Sequence, residues 1–159
     1  MKGGYRIGVV IPARDEEKHI RKVIDTLPDF VDAAIVINDG STDGTKNILD
    51  EYSKSEQIHS IELSGNGVGA AIDAGHQYLL ELWSEEEFIS VVMAGDGQMN
   101  PNDMELLLLP ITEGYCEYVK GDRFMHAKGV QDMPSDRRGA SPCFVHRDGG
   151  GCSAASRDA

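Results

Sequence analysis

The chain has 159 residues, of which 40% are hydrophobic and 26% charged, and its formal net charge at pH 7 is −12. This length fits one domain with a substantial buried core, and the composition is that of a globular protein rather than a disordered one. The negative charge argues against nucleic acid as a partner, because nucleic-acid phosphates are bound by basic surfaces.

Apolar runs and cysteines restrict the location and class further. The longest apolar runs, such as residues 106–109, fall far short of the roughly 20 residues that span a bilayer. The first twelve residues hold no apolar segment long enough for a signal peptide. We therefore expect a cytoplasmic protein. Its three cysteines are odd in number and lack CxxC spacing, so we interpret them as reduced thiols: Cys116, Cys143 and Cys152.

The first predicted unit is a strand, a turn and a helix. Residues 6–11 form a short β-branched run that we expect Pro12 to stop, because proline cannot donate to a sheet ladder. The helix is predicted from apolar residues at i, i+3, i+4 and i+7, namely Ile20, Val23, Ile24 and Leu27. We expect three acids to fall in its first turn, either as ligand-binding groups or only as complements to the helix dipole: Asp15, Glu16 and Glu17.

The second unit, residues 33–45, organises the rest of the chain. Residues 33–37 are apolar without alternation, which is typical of a strand buried on both faces in a parallel sheet. Asp39 and Asp43 then follow at the carboxyl end, where open α/β sheets bind ligands. Asp39, next to Gly40, is placed to accept hydrogen bonds from a nucleobase imide or a ribose. The alternative role of capping the next helix fits Asp43 or Thr42 better.

The third and fourth units repeat the pattern with glycine-rich turns. Residues 58–63 and 88–93 are the strands, and the helix after the third strand presents a stripe of mostly small residues that includes Gly75. In the fourth turn Asp96 lies between two glycines, which would let a diphosphate or a metal approach the backbone. Mg²⁺ could be held by one carboxylate plus phosphate oxygens, with a carbonyl oxygen from Gln98. The alternative is a simple turn aspartate.

The remaining elements are a helix and a short strand. Asn100 and Pro101 form a good helix start, and residues 118–120 are the predicted fifth strand. Patterning fades beyond Gly121. We therefore expect residues 1–124 to form the domain and residues 125–159 to be an atypical, largely disordered tail.

This alternation predicts an α/β fold, a three-layer α/β/α sandwich whose mostly parallel, Rossmann-like sheet carries helices on both faces. Residues 65–70, GNGVGA, also fit the dinucleotide fingerprint G-x-G-x-x-A. In that motif the glycines follow the first strand of the sheet, whereas here they follow the third. An NAD-binding Rossmann protein is therefore a disfavoured alternative.

Four segments together resemble the family 2 glycosyltransferases of the GT-A fold: VVIPARDEE, VINDGSTDGT, GNGVGAAIDAG and VMAGDGQMNP. The resemblance covers about residues 7–124. The forms GDGQ and KGDRF are most similar to the polyprenyl-phosphate sugar synthases, such as dolichyl-phosphate mannose or glucose synthase.

The resemblance implies a role for each matching residue. Pro12, Ala13, Glu16 and Asp39 would hold the base and ribose of a nucleotide diphosphate sugar, linked to UDP or GDP. Asn66, Gly67 and Gly95 belong to the same donor-binding motifs. Asp96 would be the second acid of the family's DxD motif, binding Mg²⁺ or Mn²⁺ with Gln98. Arg123 would lie near the transferred phosphate or the acceptor, and with Asp96 it is a catalytic candidate.

The chain departs from the family pattern at several places. Arg14 and Asp15 stand where the family commonly has Tyr and Asn, Ala94 replaces the first DxD acid, and Gly67 stands where a basic residue is common. The resemblance implies sugar transfer with inversion, and a polyprenyl-phosphate acceptor at the cytoplasmic membrane face. A nucleotide-sugar-binding fragment without activity is the alternative. An exposed sheet edge would favour self-association into a homo-oligomer.

Overall fold

A computed structural model describes residues 2–121 and the backbone of residues 144–148. The elements run in chain order as β1 (Arg6–Ala13), α1 (Ile20–Asp25), β2 (Ala33–Asp39), α2 (Thr45–Glu51), β3 (Ile58–Leu63), α3 (Val68–Leu82), β4 (Phe88–Val92), a 3₁₀ turn (Pro101–Asp103), α4 (Met104–Thr112), β5 (Tyr118–Lys120) and β6 (Phe144–Asp148). No helix among the described residues is both long and apolar enough to cross a membrane.

The strands form one sheet in the order β3-β2-β1-β4-β6-β5. Strands β1 to β4 are parallel to one another, and β6 is antiparallel to both β4 and β5. The predicted mostly parallel α/β sheet is confirmed. Because the four parallel strands point the same way, the loops that follow them meet along one edge.

Helices cover both faces of the sheet. All seven residues of β2 are buried, as its unbroken apolar sequence predicted. On one face the sheet packs against α1, α2 and α4 through a cluster that includes Ile7, Ile24 and Leu108. On the other face it packs against α3, whose Ala71 and Leu79 contact the cluster around Ile35. This arrangement is the expected three-layer sandwich.

Two expectations about the first unit are wrong. Strand β1 does not stop at Pro12 but continues through it to Ala13, with Pro12 aligned to Ile37. The carbonyl of Pro12 accepts a hydrogen bond from the N–H of Gly95, which lies beyond the end of β4. Because β4 has already ended on this side of β1, the sheet needs no N–H donor from Pro12. The acids at 15–17 are not in the first turn of α1, which begins only at Ile20.

The sheet also contains a strand that the sequence did not indicate. Strand β6 lies within the predicted tail and pairs with β4 and β5, for example at Val91↔Val145 and Val119↔Val145. Residues 144–148 thus form a strand within the segment that was expected to be disordered. The other residues of the 125–159 segment lie outside the described part of the chain.

Candidate functional site

The loops after β1 to β4 assemble the candidate site at the carboxyl edge of the sheet. The register places Ala13 beside Asn38 and Asp39 beside Leu63, so the first three parallel strands end almost level. Each loop carries polar residues. Hydrogen bonds between the loops bring several of these residues together.

Asp39 binds the loop that follows β3. Its Oδ1 accepts hydrogen bonds from the backbone N–H groups of Gly65 (3.1 Å) and Asn66 (2.7 Å), and its Oδ2 accepts from the N–H of Gly67 (2.7 Å). The residue is only 4% exposed. Gly40 makes this approach possible, because a Cβ at that position would lie 2.9 Å from the nitrogen of Gly65. Asp39 thus fixes the loop that leads into α3.

These contacts also set the ionisation of Asp39. Burial raises the pKa of its carboxyl, but the three N–H groups and the nearby positive charge of Arg14 outweigh burial and leave the pKa below its ordinary value. The carboxylate is therefore ionised at neutral pH and carries a negative charge at the edge of the sheet.

The loop after β1 is tied to the loop after β2 by Asp15. This residue has a φ of 56°, a left-handed conformation that Asp tolerates better than most residues. Its N–H donates to Ser41 Oγ (2.9 Å), and its Oδ1 accepts from the N–H of Thr42 (2.7 Å). The short polar side chain therefore couples the first two loops.

Glu17 and Asp43 complete the connection between these loops. Glu17 Oε2 accepts from the N–H of Gly44 (2.8 Å), and Asp43 Oδ2 accepts from the N–H of Glu17 (3.1 Å). Gly44 is the residue that precedes α2, so Glu17 complements the start of α2 rather than that of α1. Asp43 also accepts from the N–H of Thr45 (2.9 Å), which agrees with its predicted capping role.

Glu16 lies between the second and fourth loops. Its N–H donates to Thr45 Oγ1 (2.8 Å), and its Oε2 lies 3.0 Å from His19 Nδ1. A Cβ at Gly97 would lie 3.7 Å from the Cβ of His19, so this pair lies beside the Asp96 turn. The side chain of Glu16 is 22% exposed, which leaves it able to meet a ligand.

The Asp96 turn is packed onto the end of β1. The N–H of Gly95 donates to the Pro12 carbonyl (3.2 Å), and a Cβ at Gly95 would lie 3.2 Å from the Cβ of Ala13. Asp96 is half-buried and its Oδ1 accepts from the N–H of Gln98 (3.0 Å). The Asp96 carboxylate thus lies at the same edge of the sheet as the loop that follows β1.

The residues around Asp96 fit a metal that is shared with a ligand. No group of three or more His, Cys, Asp or Glu side chains in the described part of the chain is arranged to hold a metal ion. Hard cations such as Mg²⁺ often use one or two carboxylates plus substrate phosphates and waters. The oxygen donors of Asp96 and Gln98 suit that type of site.

The structure brings most of the predicted site residues to one edge, with three qualifications. The side chain of Ala13 is 3% exposed and packs in the core, so only its backbone can face a ligand. The N–H groups of Asn66 and Gly67 donate to Asp39. Arg123 lies outside the described residues.

Sequence reasoning missed the contacts of Asp15 and Glu17 because their partners lie 26 to 27 residues away. The sequence did contain a signal for these contacts, because an acidic segment follows each of two consecutive strands and both strands end at the same edge of the sheet. It also missed Arg14, whose Nη1 lies 3.9 Å from the position that a Cβ on Gly65 would occupy.

The loop contacts weigh against the dinucleotide-binding alternative. In the fingerprint motif the glycine-rich backbone and the helix start receive a pyrophosphate. Here the N–H groups of Gly65, Asn66 and Gly67 are already directed at the Asp39 carboxylate, and a pyrophosphate would have to displace that negative charge.

Comparison with known proteins identifies the family. The family model described as glycosyl transferase family 2 matches residues 8–150. The chain belongs to this family. The four sequence motifs predicted this membership, and the prediction is confirmed.

Two curated relatives of this family 2 chain act on dolichyl phosphate according to their names. The UDP-N-acetylglucosamine–dolichyl-phosphate N-acetylglucosaminyltransferase of Methanococcus voltae is 32% identical over 147 residues, covering 83% of this chain and 57% of the relative. The dolichyl-phosphate beta-glucosyltransferase ALG5C of Trichomonas vaginalis is 35% identical over 111 residues, covering 62% and 31%. The chain thus spans about half or less of the length of these relatives.

Solved structures place the family 2 chain in the GT-A fold. Glucosyl-3-phosphoglycerate synthase from Mycobacterium tuberculosis, in complex with UDP, has 25% identity and a TM-score of 0.58, covering 81% of this chain and 48% of that one. The same enzyme in complex with Mn²⁺, UDP and glucosyl-3-phosphoglycerate has 23% identity and a TM-score of 0.58, covering 91% and 57%.

A cleft elsewhere on the family 2 chain is separate from this edge. It has a volume of about 240 Å³ and is lined by the end of α2, the start of β3 and Tyr78. None of the predicted site residues lines it.

Proposed function

We propose that the chain binds a nucleotide diphosphate sugar at the carboxyl edge of its sheet and transfers the sugar to a polyprenyl phosphate. The observation that carries this proposal is the juxtaposition of the first, second and fourth loops, which brings Glu16, Asp39 and Asp96 to one edge. Family membership and the names of the dolichyl-phosphate relatives support the same activity.

The loops after β1 and β2 would bind the nucleoside of the donor. Asp39 would accept a hydrogen bond from the nucleoside, and Glu16 would accept from a ribose hydroxyl. The first loop is held rigid by Asp15 and Glu17, so these groups need little reorganisation when the donor binds. The backbone of Pro12 and Ala13 would form the wall between the nucleoside and the Asp96 turn.

The diphosphate would lie at the Asp96 turn. When bound there, Mg²⁺ or Mn²⁺ would be held by Asp96, with Gln98 nearby, and would neutralise negative charge on the departing nucleoside diphosphate. The complex of a GT-A neighbour with Mn²⁺ and UDP supports this choice of ion.

Transfer would be a single displacement with inversion. A polyprenyl phosphate is anionic at neutral pH and attacks without a general base, so none is needed at this edge. Arg123 would lie close to the phosphate of the acceptor. The acceptor would place the protein at the cytoplasmic face of a membrane.

The second candidate is a donor-binding module that does not transfer the sugar by itself. The matched region covers 57% of the Methanococcus relative and less of the Trichomonas one. Donor binding without sugar transfer to any lipid phosphate would select this candidate.

Calorimetric titration of UDP, GDP and NAD⁺, each with and without Mn²⁺, tests the donor site. We expect one nucleoside diphosphate to bind, more tightly with Mn²⁺, and NAD⁺ not to bind. Asp96→Ala should lose about 10-fold or more of the metal-dependent affinity and leave binding of the bare nucleoside unchanged.

Asp73→Ala is the matched control for this substitution, because Asp73 is an exposed acid on α3. Equal losses for both variants, or loss of nucleoside binding in Asp96→Ala, would contradict the role of Asp96. The absence of binding by every nucleoside diphosphate would contradict the proposed function.

A further inference from the structure

Strand β3 forms one edge of the sheet, and among the described residues it pairs only with β2. Natural proteins protect such edges by keeping them short, by bulges, or with lysine and proline. The strand at the opposite edge, β5, has three residues and ends in Lys120. In contrast, β3 has six residues in an unbroken register and contains no lysine, arginine or proline. This edge is therefore long, regular and poorly protected.

The main-chain groups of β3 point alternately toward β2 and away from the sheet. The N–H of Ala34 donates to the carbonyl of Gln57 (2.8 Å), and Ala34 is aligned with Ile58. Main-chain groups of the odd-numbered residues of β3 are therefore directed at β2, and those of the even-numbered residues face outward. The N–H and carbonyl groups of Ser60 and Glu62 thus lie on the open side of the strand, where a further strand could pair with them.

Apolar surface lies beside the same edge. In the core cluster on the α3 face, the partly buried apolar members are Ile61 and Leu63 of β3, Ile72 and Tyr78. The cleft of about 240 Å³ lies at the start of β3, with the end of α2 on one side and Tyr78 on the other. The unpaired side of β3 therefore has both open space and apolar side chains.

We propose that this edge binds β3 of a second copy of the chain, so that two sheets join across a two-fold axis. In this antiparallel register Ile61 lies opposite Ile61 of the second copy, and Ser60 lies opposite its Glu62. The outward main-chain groups then exchange four hydrogen bonds, two in each of the symmetric Ser60–Glu62 pairs. The pairing does not depend on the proposed function.

Side chains on the α3 face fit this register. Ile61 packs on its own copy, and His59 lies opposite Leu63 of the second copy, since directly opposite residues share a face. The ring of His59 lies 5.2 Å from that of Tyr78 and its Nδ1 is 3.0 Å from the Tyr78 hydroxyl. Leu63 of the second copy therefore enters the cleft beside this pair, and the partly buried apolar surface is covered.

Side chains on the other face distinguish this register from its neighbour. The Glu62 carboxylate accepts from Asn38 Nδ2 (3.0 Å) and lies 3.7 Å from Lys46 Nζ, which offsets its charge. A carboxylate has about four acceptor positions, so it can also accept from the Ser60 hydroxyl of the second copy. An axis at Ser60 would instead place Ile58 opposite Glu62, and these two side chains are not complementary. The axis at Ile61 is therefore the favoured one.

Cysteine cross-linking tests the register. Opposite residues in a non-hydrogen-bonded antiparallel pair have Cα atoms about 4.5 Å apart, a separation that a disulfide accepts. Ile61→Cys should therefore form a disulfide dimer on mild oxidation, identified by mass spectrometry of the linked peptide. Ser60→Cys, two residues out of register with its copy, should link more slowly, and Asp73→Cys on the exposed side of α3 should not link. Faster linking of Ser60→Cys, or no linking of Ile61→Cys, would overturn the proposal.

Sedimentation from low micromolar to submillimolar concentration tests the association itself. We expect a monomer–dimer equilibrium, because the edge of one strand is a small interface. Ser60→Pro should raise the dissociation constant at least about 10-fold, because proline removes an outward N–H from each copy.

The fold of Ser60→Pro should persist, since proline is tolerated where an edge strand faces solvent, and urea unfolding of the variant checks this. Ser60→Ala is the matched control, because alanine keeps the N–H and should raise the dissociation constant far less. A full chain that stays monomeric over the whole concentration range, or a dimer that Ser60→Pro leaves intact, would overturn the proposal.

Discussion

At the scale of single residues, Asp39 has a structural role that its sequence position does not reveal. It lies at the end of β2, but the three hydrogen bonds that its carboxylate accepts from described residues all come from the loop that follows β3. The same carboxylate therefore orders the loop and, in the proposed function, accepts a hydrogen bond from the donor. Removal of its charge should affect both the stability of the protein and its ligand affinity.

The pH dependence of stability follows from the lowered pKa of Asp39. Above the ordinary aspartate pKa of 3.8 the carboxylate is ionised in the folded and the unfolded chain, and its stabilising contribution is complete. As the pH falls through 3.8 and then through the lower folded pKa, the unfolded chain binds the proton first and the contribution is lost. Asp39→Asn should therefore be less stable than the original chain at pH 7.

Urea unfolding at pH 7, 4 and 3 measures this effect. The difference in the free energy of unfolding between the two chains should shrink as the pH falls. Asp73→Asn, on the exposed side of α3, should show no such trend. A difference that stays constant with pH would contradict the assigned contacts.

The sequence could place Asp39 and Asp96 at one edge because each directly follows a strand, and parallel strands end together. It could not show the pairs formed by Asp15 with Thr42 or Glu17 with Gly44. Those pairs depend on how two loops face each other, which hydrophobic periodicity does not report.

At the scale of elements, α3 depends on a close approach to the sheet. A Cβ at Gly75 would lie 2.9 Å from Ile37 Cδ1 and would also overlap the side chain of Val10. Both residues are fully buried and belong to central strands, so they have little room to move. The small-residue stripe of this helix was predicted from the sequence, and the contact explains it.

Gly75→Ala should therefore destabilise the protein by about 1 to 3 kcal/mol, because the extra methyl group overpacks the core. Gly69→Ala is the matched control in the same helix, since a Cβ at that position meets nothing within 4 Å. It should be neutral or stabilising by up to about 1 kcal/mol. Urea denaturation of both variants gives the comparison, and equal effects would contradict the packing described for Gly75.

The parallel strands were predictable because each is an apolar run followed by a polar turn. The boundaries of the first unit were not. Pro12 stays in β1 because the neighbouring strand β4 ends before it. The acidic segment 15–17 forms hydrogen bonds with the loop after β2 instead of starting α1. Both outcomes depend on neighbouring elements rather than on local propensity.

At the scale of the whole molecule, β6 changes the extent of the domain. It lies between β4 and β5 in the sheet and is the neighbour of both. The segment 144–148 has no alternation or turn signal that separates it from its surroundings, and its pairing is a long-range contact. The expected domain boundary at residue 124 would therefore divide this sheet.

Truncation after Phe124 should lower stability and cause self-association. Without β6, strand β4 becomes an unpaired edge and β5 loses its partner, and unpaired edges of this kind pair with other chains. In the full chain, Val145→Pro should have a similar effect on stability, because Val145 is aligned with Val91 on one side and Val119 on the other. Proline there removes a ladder hydrogen bond from an interior strand.

Val145→Thr is the control for the proline variant, since threonine keeps the N–H and the β-branched shape that strands favour. Urea denaturation and light scattering after gel filtration measure the two effects. We expect the truncated chain and Val145→Pro to unfold at lower urea concentration than Val145→Thr, and the truncated chain to form larger species. A truncated chain that stays monomeric and as stable as the full one would show that the first 124 residues fold independently of β6.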